Sequence, residues 1–467
     1  MRGVLAAAVA FFALAAPAFA GGPYMMVGAA DDFAKEPTET AAKVDMDKAK
    51  LAGLDTIRMT VTWKTGERAL LASESTGLTN AIDAAEFSGV RVILSIYPYG
   101  SSVTPLTDTA RSDFAAFAVS VAKQYSYVHD FIVGNEPNLN RFWLPQFAPD
   151  GSDAAATAFE QLLATTYDAL KAARPHATVY GVALSPRGSD NPAGSRPTHS
   201  PTAFITDLGD AYRASGRTTP IMDAFAFHPY PENSTIGPIP HPNSTSIGLA
   251  DYDKLVGLLG TAFDGTGQRG SSLPILYDEY GIETQIPPAK ATLYTGTEPE
   301  TTKPVTEDVQ ARLYEQAMAM TFCQKTVLGL LLFHVVDEKP LSAWQSGVYY
   351  ADGTPKASLF PVRGSAFSVH RGVAATCPGM HLTPKAAIVK PHTVRAGVAF
   401  TLTSNLDATY VLRLDGAHPI VGRITGGSKK ALLFRTHVAK GTHVITGTAT
   451  ASVNAGTPRT VRLPFTA

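Results

Sequence analysis

The run Val90-Arg91-Val92-Ile93-Leu94-Ser95-Ile96 is β-branched and apolar, the stretch Ala110–Gln124 is amphipathic, and Phe131-Ile132-Val133-Gly134 is apolar again. Strand, helix and strand in that order predict a βα unit feeding a parallel sheet. Working outward, the same alternation runs from Gly22 to about Cys377. Strands are expected at Tyr24–Val27, Thr56–Val61, Val90–Ile96, Phe131–Gly134, Thr178–Leu184, Met222–Phe227, Ile275–Glu279 and Val327–Val335. Helices are expected near Ala41–Ala52, Leu78–Ser88, Ala110–Gln124, Ala154–Ala173, Pro201–Ala214, Tyr252–Ala262, Thr306–Gln324 and Pro355–Val369. Eight of each predict an α/β fold, a (β/α)8 TIM barrel over residues 21–375. An open doubly wound sheet is the alternative, but no glycine-rich phosphate fingerprint follows the first strand.

The texture changes beyond Cys377. Pro378, Pro384 and Pro391 are followed by short alternating runs such as Ala399-Phe400-Thr401-Leu402-Thr403 and Thr442-His443-Val444-Ile445-Thr446. Residues 376–467 are therefore expected to form a small β-sandwich. The segment holds no tryptophan, so it is read as an accessory or packing domain. At the other end, Met1-Arg2-Gly3, an apolar stretch from Val4 to Ala15 and the small-residue site Ala18-Phe19-Ala20 read as a secretory signal over residues 1–20. Export, outside the cell or into a periplasm, makes a disulfide the expected state of Cys323 and Cys377.

Composition removes several function classes. The 39 Lys+Arg against 40 Asp+Glu give a net charge of −1 with no run of like charge, which argues against nucleic acid or an anionic membrane as partner. With 45% hydrophobic residues the chain can bury a large core. No Gly-x-Ser-x-Gly elbow is present. His228 and His241 lack the spacing of a zinc site, so neither metal nor other cofactor is expected.

In such a barrel the reacting groups lie at the C-terminal ends of the strands. Strand two carries Arg58 within Thr56-Ile57-Arg58-Met59-Thr60, where a guanidinium must face a carboxylate or an inner polar layer. Strand four ends Gly134-Asn135-Glu136-Pro137, strand six His228-Pro229-Tyr230, and strand seven Asp278-Glu279-Tyr280. Two glutamates at two strand mouths are what glycoside hydrolysis needs, one protonated to release the leaving oxygen and one ionised to attack the anomeric carbon or activate water. Trp63, Trp143 and Trp344 follow strands two, four and eight on the same side, where indole faces could stack on a sugar. Asp337 and Glu338, beyond strand eight, are the rival carboxylates, read as substrate-contacting or structural.

The Asn135-Glu136-Pro137 and His228-Pro229-Tyr230 motifs and the Glu279 strand end resemble clan A glycoside hydrolases, with the cellulase-like family 5 and the xylosidase-like family 39 as the types most alike. The resemblance implies a retaining double displacement with Glu136 as acid/base and Glu279 as nucleophile. It implies that Asn135 bonds the sugar 2-hydroxyl, that Tyr230 and Arg58 hold the nucleophile ionised, and that His228 lies near the acid/base. The chain departs from the pattern at strand eight, which reads Leu332-Phe333-His334-Val335 where such proteins often carry tryptophan; His334 and Trp344 are the candidates there. The expected partner is a polysaccharide or glycoconjugate. A transglycosidase shares every residue named, and a carbohydrate-binding barrel without turnover is the rival from another class. The Pro-, Ser- and Thr-rich connections 231–249 and 283–304 are expected to wall the cleft.

Overall fold

The computed structural model describes residues 21–467; the signal sequence read at residues 1–20 lies outside them. Eight parallel strands close in sequence order into a barrel: β1 Met26–Ala30, β2 Thr56–Trp63, β3 Arg91–Pro98, β4 Asp130–Val133, β5 Thr178–Leu184, β6 Ala224–Phe227, β7 Ile275–Tyr280 and β8 Val327–Leu332. The circle closes where Met26–Ala29 pairs with Gly329–Leu332. Helices α1 Glu39–Leu51, α2 Ala72–Ser88, α3 Asp108–Gln124, α4 Ala154–Ala173, α5 Pro201–Ala214, α6 Tyr252–Phe263, α7 Glu307–Phe322 and α8 Leu359–His370 alternate with the strands. Thr38, Thr107, Asp153 and Ser200 each accept a backbone N–H at the start of a helix, relieving one of its unpaired donors.

Period-two alternation sorts each strand between two cores. On β2, Ile57, Met59, Val61 and Trp63 face the helices, which leaves Arg58 on the inner side. Met26, Ile93, Ile132, Tyr180, Ala183, Ala224, Ala226, Leu276 and Leu331 form a separate apolar cluster from all the remaining strands, the filling of the barrel. The first strand starts later than expected, because Gly22–Tyr24 forms a short 3-10 turn containing Pro23. The eighth stops at Leu332 and does not reach Val335: the Val335 and Val336 amides bond to Asp31 Oδ2, at 2.8 and 3.2 Å, and leave the ladder. Among the described residues no helix is long and apolar enough to cross a membrane.

The C-terminal strands are β9 Ala386–Val394, β10 Gly397–Ser404, β11 Ala408–Leu414, β12 Ala417–Ile424, β13 Lys429–Phe434, β14 Thr442–Ala451 and β15 Arg459–Thr466. They form a three-stranded sheet ordered β13-β10-β9 and a four-stranded sheet ordered β12-β11-β14-β15, all antiparallel. Strand β11 buries every second residue, and Val398, Phe400, Leu412, Phe434 and Ile445 fill the space between the sheets, a β-sandwich.

The sandwich is fastened to the barrel. Leu382, Leu406 and Ala451 join the helix-side core of the barrel. Arg371 donates two bonds to Asp407 at 2.8 and 2.6 Å. Asn454 accepts from the Cys377 amide at 2.7 Å and donates to the Ala375 carbonyl at 2.8 Å. Cys323, which ends α7, is disulfide-bonded to Cys377 across 54 residues. Serine at both positions should lower the unfolding free energy by about 2–4 kcal/mol, the entropy released to an unfolded loop of that size. Urea unfolding of the double variant checks this; an unchanged midpoint would show that the crosslink constrains nothing.

Candidate active site

The site is built around Arg58, which is 4% exposed. Its Nη1 donates to Glu279 Oε1 at 2.5 Å, and its Nη2 donates to Ser95 Oγ at 2.9 Å and Asn135 Oδ1 at 3.1 Å. Nε lies 3.6 Å from Asp278 Oδ2. Burial alone would lower the guanidinium pKa, but Glu279 and Asp278 outweigh it and hold the group charged. Both carboxylates reach the same cation because β7 is irregular. Its pairing with β8 slips between Tyr277 and Tyr280, both of which face the helices, so Asp278 and Glu279 between them turn inward together.

Tyr230 donates its hydroxyl to Glu279 Oε2 at 2.9 Å. Burial, reinforced by the Glu279 charge, pushes that phenol well above its ordinary range, so it remains a donor. His228 is fully buried beneath Glu136 and Glu279. Its Nδ1 lies 3.0 Å from Glu136 Oε1 and 3.4 Å from Glu279 Oε2, and its Nε2 lies 3.2 Å from Asp278 Oδ2. Glu136 Oε1 and Glu279 Oε2 thus share one nitrogen and lie across it from each other.

Glu136 is aimed by its backbone. It sits at φ 44°, two residues after Gly134 at φ 105°, and its N–H bonds to the Ala183 carbonyl at 2.8 Å. A side chain at residue 134 would meet the Phe159 ring at 2.6 Å, so glycine is required there. Across the contact, Val182 and Ala183 are also left-handed, at φ 84° and 52°, where β5 slips its register against β6.

Arg58, Asn135, Glu136, Tyr230, Glu279, His334 and Trp344 line one cleft of about 570 Å³. Trp344 packs on Tyr230 with the rings tilted by 33° and centroids 4.9 Å apart, and meets Phe333 edge-on at 5.3 Å. Gly281 lies under these rings, where a Cβ would come within 3.2 Å of both Trp344 and Tyr230. A second hollow, of about 360 Å³, shares Glu136, Tyr230 and Trp344 with the first and is walled by Arg187, Glu232, Asn233 and Thr302, among others. The two long connections thus supply this second wall.

Two of the expected sugar platforms are elsewhere. Trp63 is 0% exposed on the helix side of β2, edge-on to Phe114 of α3, with its indole N–H donating to the Glu67 carbonyl at 2.7 Å. Its parity with Ile57 and Met59, opposite to that of Arg58, turns it outward. Trp143 is 1% exposed and packs edge-on against Phe159 of α4, so it anchors its loop in the core.

The chain has the fold of a glucosidase from Croceicoccus marinus. The two align with a TM-score of 0.51 at 11% identity, over 90% of this chain and 95% of that one. A family 39 glycoside hydrolase from Bacteroides cellulosilyticus WH2 aligns with a TM-score of 0.49 at 15% identity, over 89% of this chain and 79% of its own. A β-glucuronidase from Bacteroides uniformis aligns with a TM-score of 0.46 at 12% identity over 95% of this chain, which spans only 46% of that longer protein. No protein-family model and no curated protein sequence matches.

Sequence reasoning missed Asp278, Ser95, Asp31 and Tyr97. Asp278 bonds His228 and Ser95 bonds Arg58, while Asp31 and Tyr97 line the cleft. The signal for Asp278 was present: an ionisable residue directly before Glu279 in an otherwise apolar strand, needing a buried partner just as Arg58 does. Of the rival carboxylates, Asp337 is buried and paired with Lys356 at 2.7 Å, and Glu338 lines the cleft.

Burial alone would lower the pKa of His228, but Glu279 and Asp278, with hydrogen bonds to Asp278 and Glu136, push it up to about 10. An unfolded imidazole titrates near about 6.5, so the stability contributed by the imidazolium is complete below that pH and is lost as pH rises through the folded value. Wild type should therefore lose more stability between pH 6.5 and 10 than His228→Gln. Urea midpoints across that range test it, and parallel curves for the two proteins would reject the charged imidazole.

Proposed function

We propose that the protein is a retaining glycoside hydrolase acting on a polysaccharide or glycoconjugate outside the cytoplasm. The observation that carries this reading is the convergence of Glu136 and Glu279 on one His228 nitrogen at the floor of a single cleft. Carboxyls close enough to share one imidazole nitrogen support attack by a carboxylate over the wider pair, about 6.5–9.5 Å between carboxyls, that inversion uses to admit a water.

The neighbours divide the roles. Glu279 is bonded by Arg58 and Tyr230, one donor on each oxygen, an environment that suits the nucleophile. Glu136 has Oε1 against His228, which leaves Oε2 to meet the leaving group. The cations Arg58 and His228 both contact Asp278 and Glu279, and Glu136 touches only His228 of the two.

In the first step Glu136 gives its proton to the glycosidic oxygen as that bond breaks, and a Glu279 oxygen bonds the anomeric carbon. The Glu279 charge disappears into the ester, which leaves Asp278 as the remaining carboxylate beside Arg58. In the second step Glu136, now a carboxylate, takes a proton from water while the water oxygen bonds the anomeric carbon and Glu279 leaves. Asn135 accepts from Arg58 through Oδ1, which leaves its amide N–H groups for the hydroxyl beside the reacting carbon. Trp344 offers its face to the ring held there, and the hollow beyond Glu136 suits the leaving group.

On aryl glycosides of the preferred sugar, Glu279→Ala should lower kcat by a factor of about 10³ or more, with azide restoring turnover to a glycosyl azide of inverted configuration. Turnover that survives this substitution would remove Glu279 from the role. Glu136→Ala should cost about 10²–10⁴ on substrates with poor leaving groups and far less on a dinitrophenyl glycoside, because a good leaving group needs no proton. Equal losses on both would count against Glu136 as acid.

A further inference from the structure

Charge is divided unevenly along the chain. Residues 376–467 hold eleven Lys and Arg against two Asp and no Glu, so the rest of the chain carries the acidic excess that brings the total to −1. A basic sandwich is joined to an acidic barrel. Both of the sandwich's carboxylates are engaged: Asp407 is held by Arg371, and Asp415 accepts from the Val444 amide at 2.8 Å and lies 2.7 Å from His443. A surface of one sign repels itself, and a partner of opposite charge relieves it.

The register of the four-stranded sheet shows where three of these charges stand. Strand β11 turns Tyr410, Leu412 and Leu414 into the core, which leaves Thr409, Val411 and Arg413 facing out. Thr409 pairs with Arg423 on β12 and Thr450 on β14, and Arg413 pairs with Thr446 on β14. Strand β15 then sets Arg462 against Thr446 and Thr460 against Thr448. Residues paired across antiparallel strands share a face, so Arg413, Arg423 and Arg462 stand together on the outer surface among threonines. Arg413 and Arg462 are two strands apart, about 10 Å at the usual spacing. All three are exposed. Among the described residues the ion pairs of the sandwich are Asp407 with Arg371 and Asp415 with His443, so the three arginines do not serve to hold it on the acidic barrel.

We propose that this face binds an acidic polysaccharide, one whose sugars carry carboxylate or sulfate groups. Guanidinium forks match such groups two bonds at a time, and threonine hydroxyls both donate to and accept from the sugar hydroxyls between them. No aromatic ring stands at these outward positions, whereas a single-stranded nucleic acid needs one to stack on. Nor do they hold the Trp, Phe or Leu with which an interfacial surface enters a bilayer. The choice of a glycan over other polyanions rests on the glycosidase reading above. The sandwich then tethers the barrel to its polymer and raises the local concentration of bonds to cleave.

The test measures binding by the full chain apart from turnover. Native gels cast with dextran sulfate, alginate or polygalacturonate should retard the protein, and gels cast with dextran should not. The triple variant Arg413→Gln/Arg423→Gln/Arg462→Gln should bind at least about tenfold more weakly, the worth of one charge-assisted contact. Arg395→Gln/Arg435→Gln/Lys440→Gln removes the same charge from exposed positions between strands, and should retain most of the binding. Equal losses in the two triples would overturn the proposal, since net charge alone would then act. Retardation by none of the acidic glycans would overturn it too, as would equally tight binding to duplex DNA or phosphatidylglycerol vesicles at the same ionic strength. A protein retarded by acidic glycans that hydrolyses no glycoside would sink the proposed function and leave the face assigned; one that hydrolyses aryl glycosides without being retarded would do the reverse.

Discussion

A guanidinium inside a barrel is the constraint on which the rest of this site depends. Arg58 cannot leave its strand without exposing the apolar face that alternates with it, and it cannot stay inside unpaired. Its partners come from β3, the end of β4 and β7, so one charge fixes the relative placement of Ser95, Asn135, Asp278 and Glu279. Removing one partner of a buried ion pair typically costs about 3–5 kcal/mol, because the other charge is left stranded. The groups that activate the proposed nucleophile are therefore the groups that hold the upper barrel together. His228 repeats the device one layer over, linking Asp278 to Glu136.

The second constraint is in the backbone. Glu136, Val182 and Ala183 all take left-handed conformations, and the Glu136 amide bonds across to Ala183. For a β-branched residue such as Val182 this conformation costs on the order of 1–3 kcal/mol, and it persists only where its surroundings hold it. Here they do: Val182 is fully buried in the helix-side core, and Gly134 is clasped by Phe159. A regular strand would carry Glu136 past the cleft, whereas the turned backbone brings its carboxyl back to within 3.0 Å of His228.

Much of this was legible in the sequence. Period two and the βα rhythm are local signals, and they placed all eight strands to within a few residues. Arg58 announced a buried partner because charge in an apolar run has no other explanation. Trp63 and Trp143 were misjudged for a different reason: an indole beyond a strand end can stack on a sugar or pack on a helix, and composition does not separate the two. Parity does so for Trp63, which shares its side with Ile57 and Met59. No parity applies to Trp143, since its loop has no pleat. Asp278 and Glu279 facing the same way depends on a register slip that pairing with β8 imposes, and a single strand carries no record of its neighbour's register.

Trp344 shows what replaces a strand end when the aromatic wall of a cleft comes from a loop. A strand is held by its ladder; the segment after β8 is held by buried polar groups. Lys356 and Asp337, both fully buried, pair at 2.7 Å, and Lys356 also donates to the Gln345 carbonyl at 3.0 Å and to Thr284 Oγ1 at 2.7 Å. Gln310 and Tyr314 of α7 donate to the Ser346 carbonyl at 3.0 and 2.8 Å, and Glu338 accepts from the Trp344 amide at 3.0 Å. Each of these bonds counts, because a buried group that loses its partner carries its full desolvation cost. The loop is thereby restricted to one arrangement, as an aromatic platform must be if it is to meet a sugar ring without first being ordered by it. The orientation of Trp344 against Tyr230 thus rests on an ion pair whose members never touch the cleft.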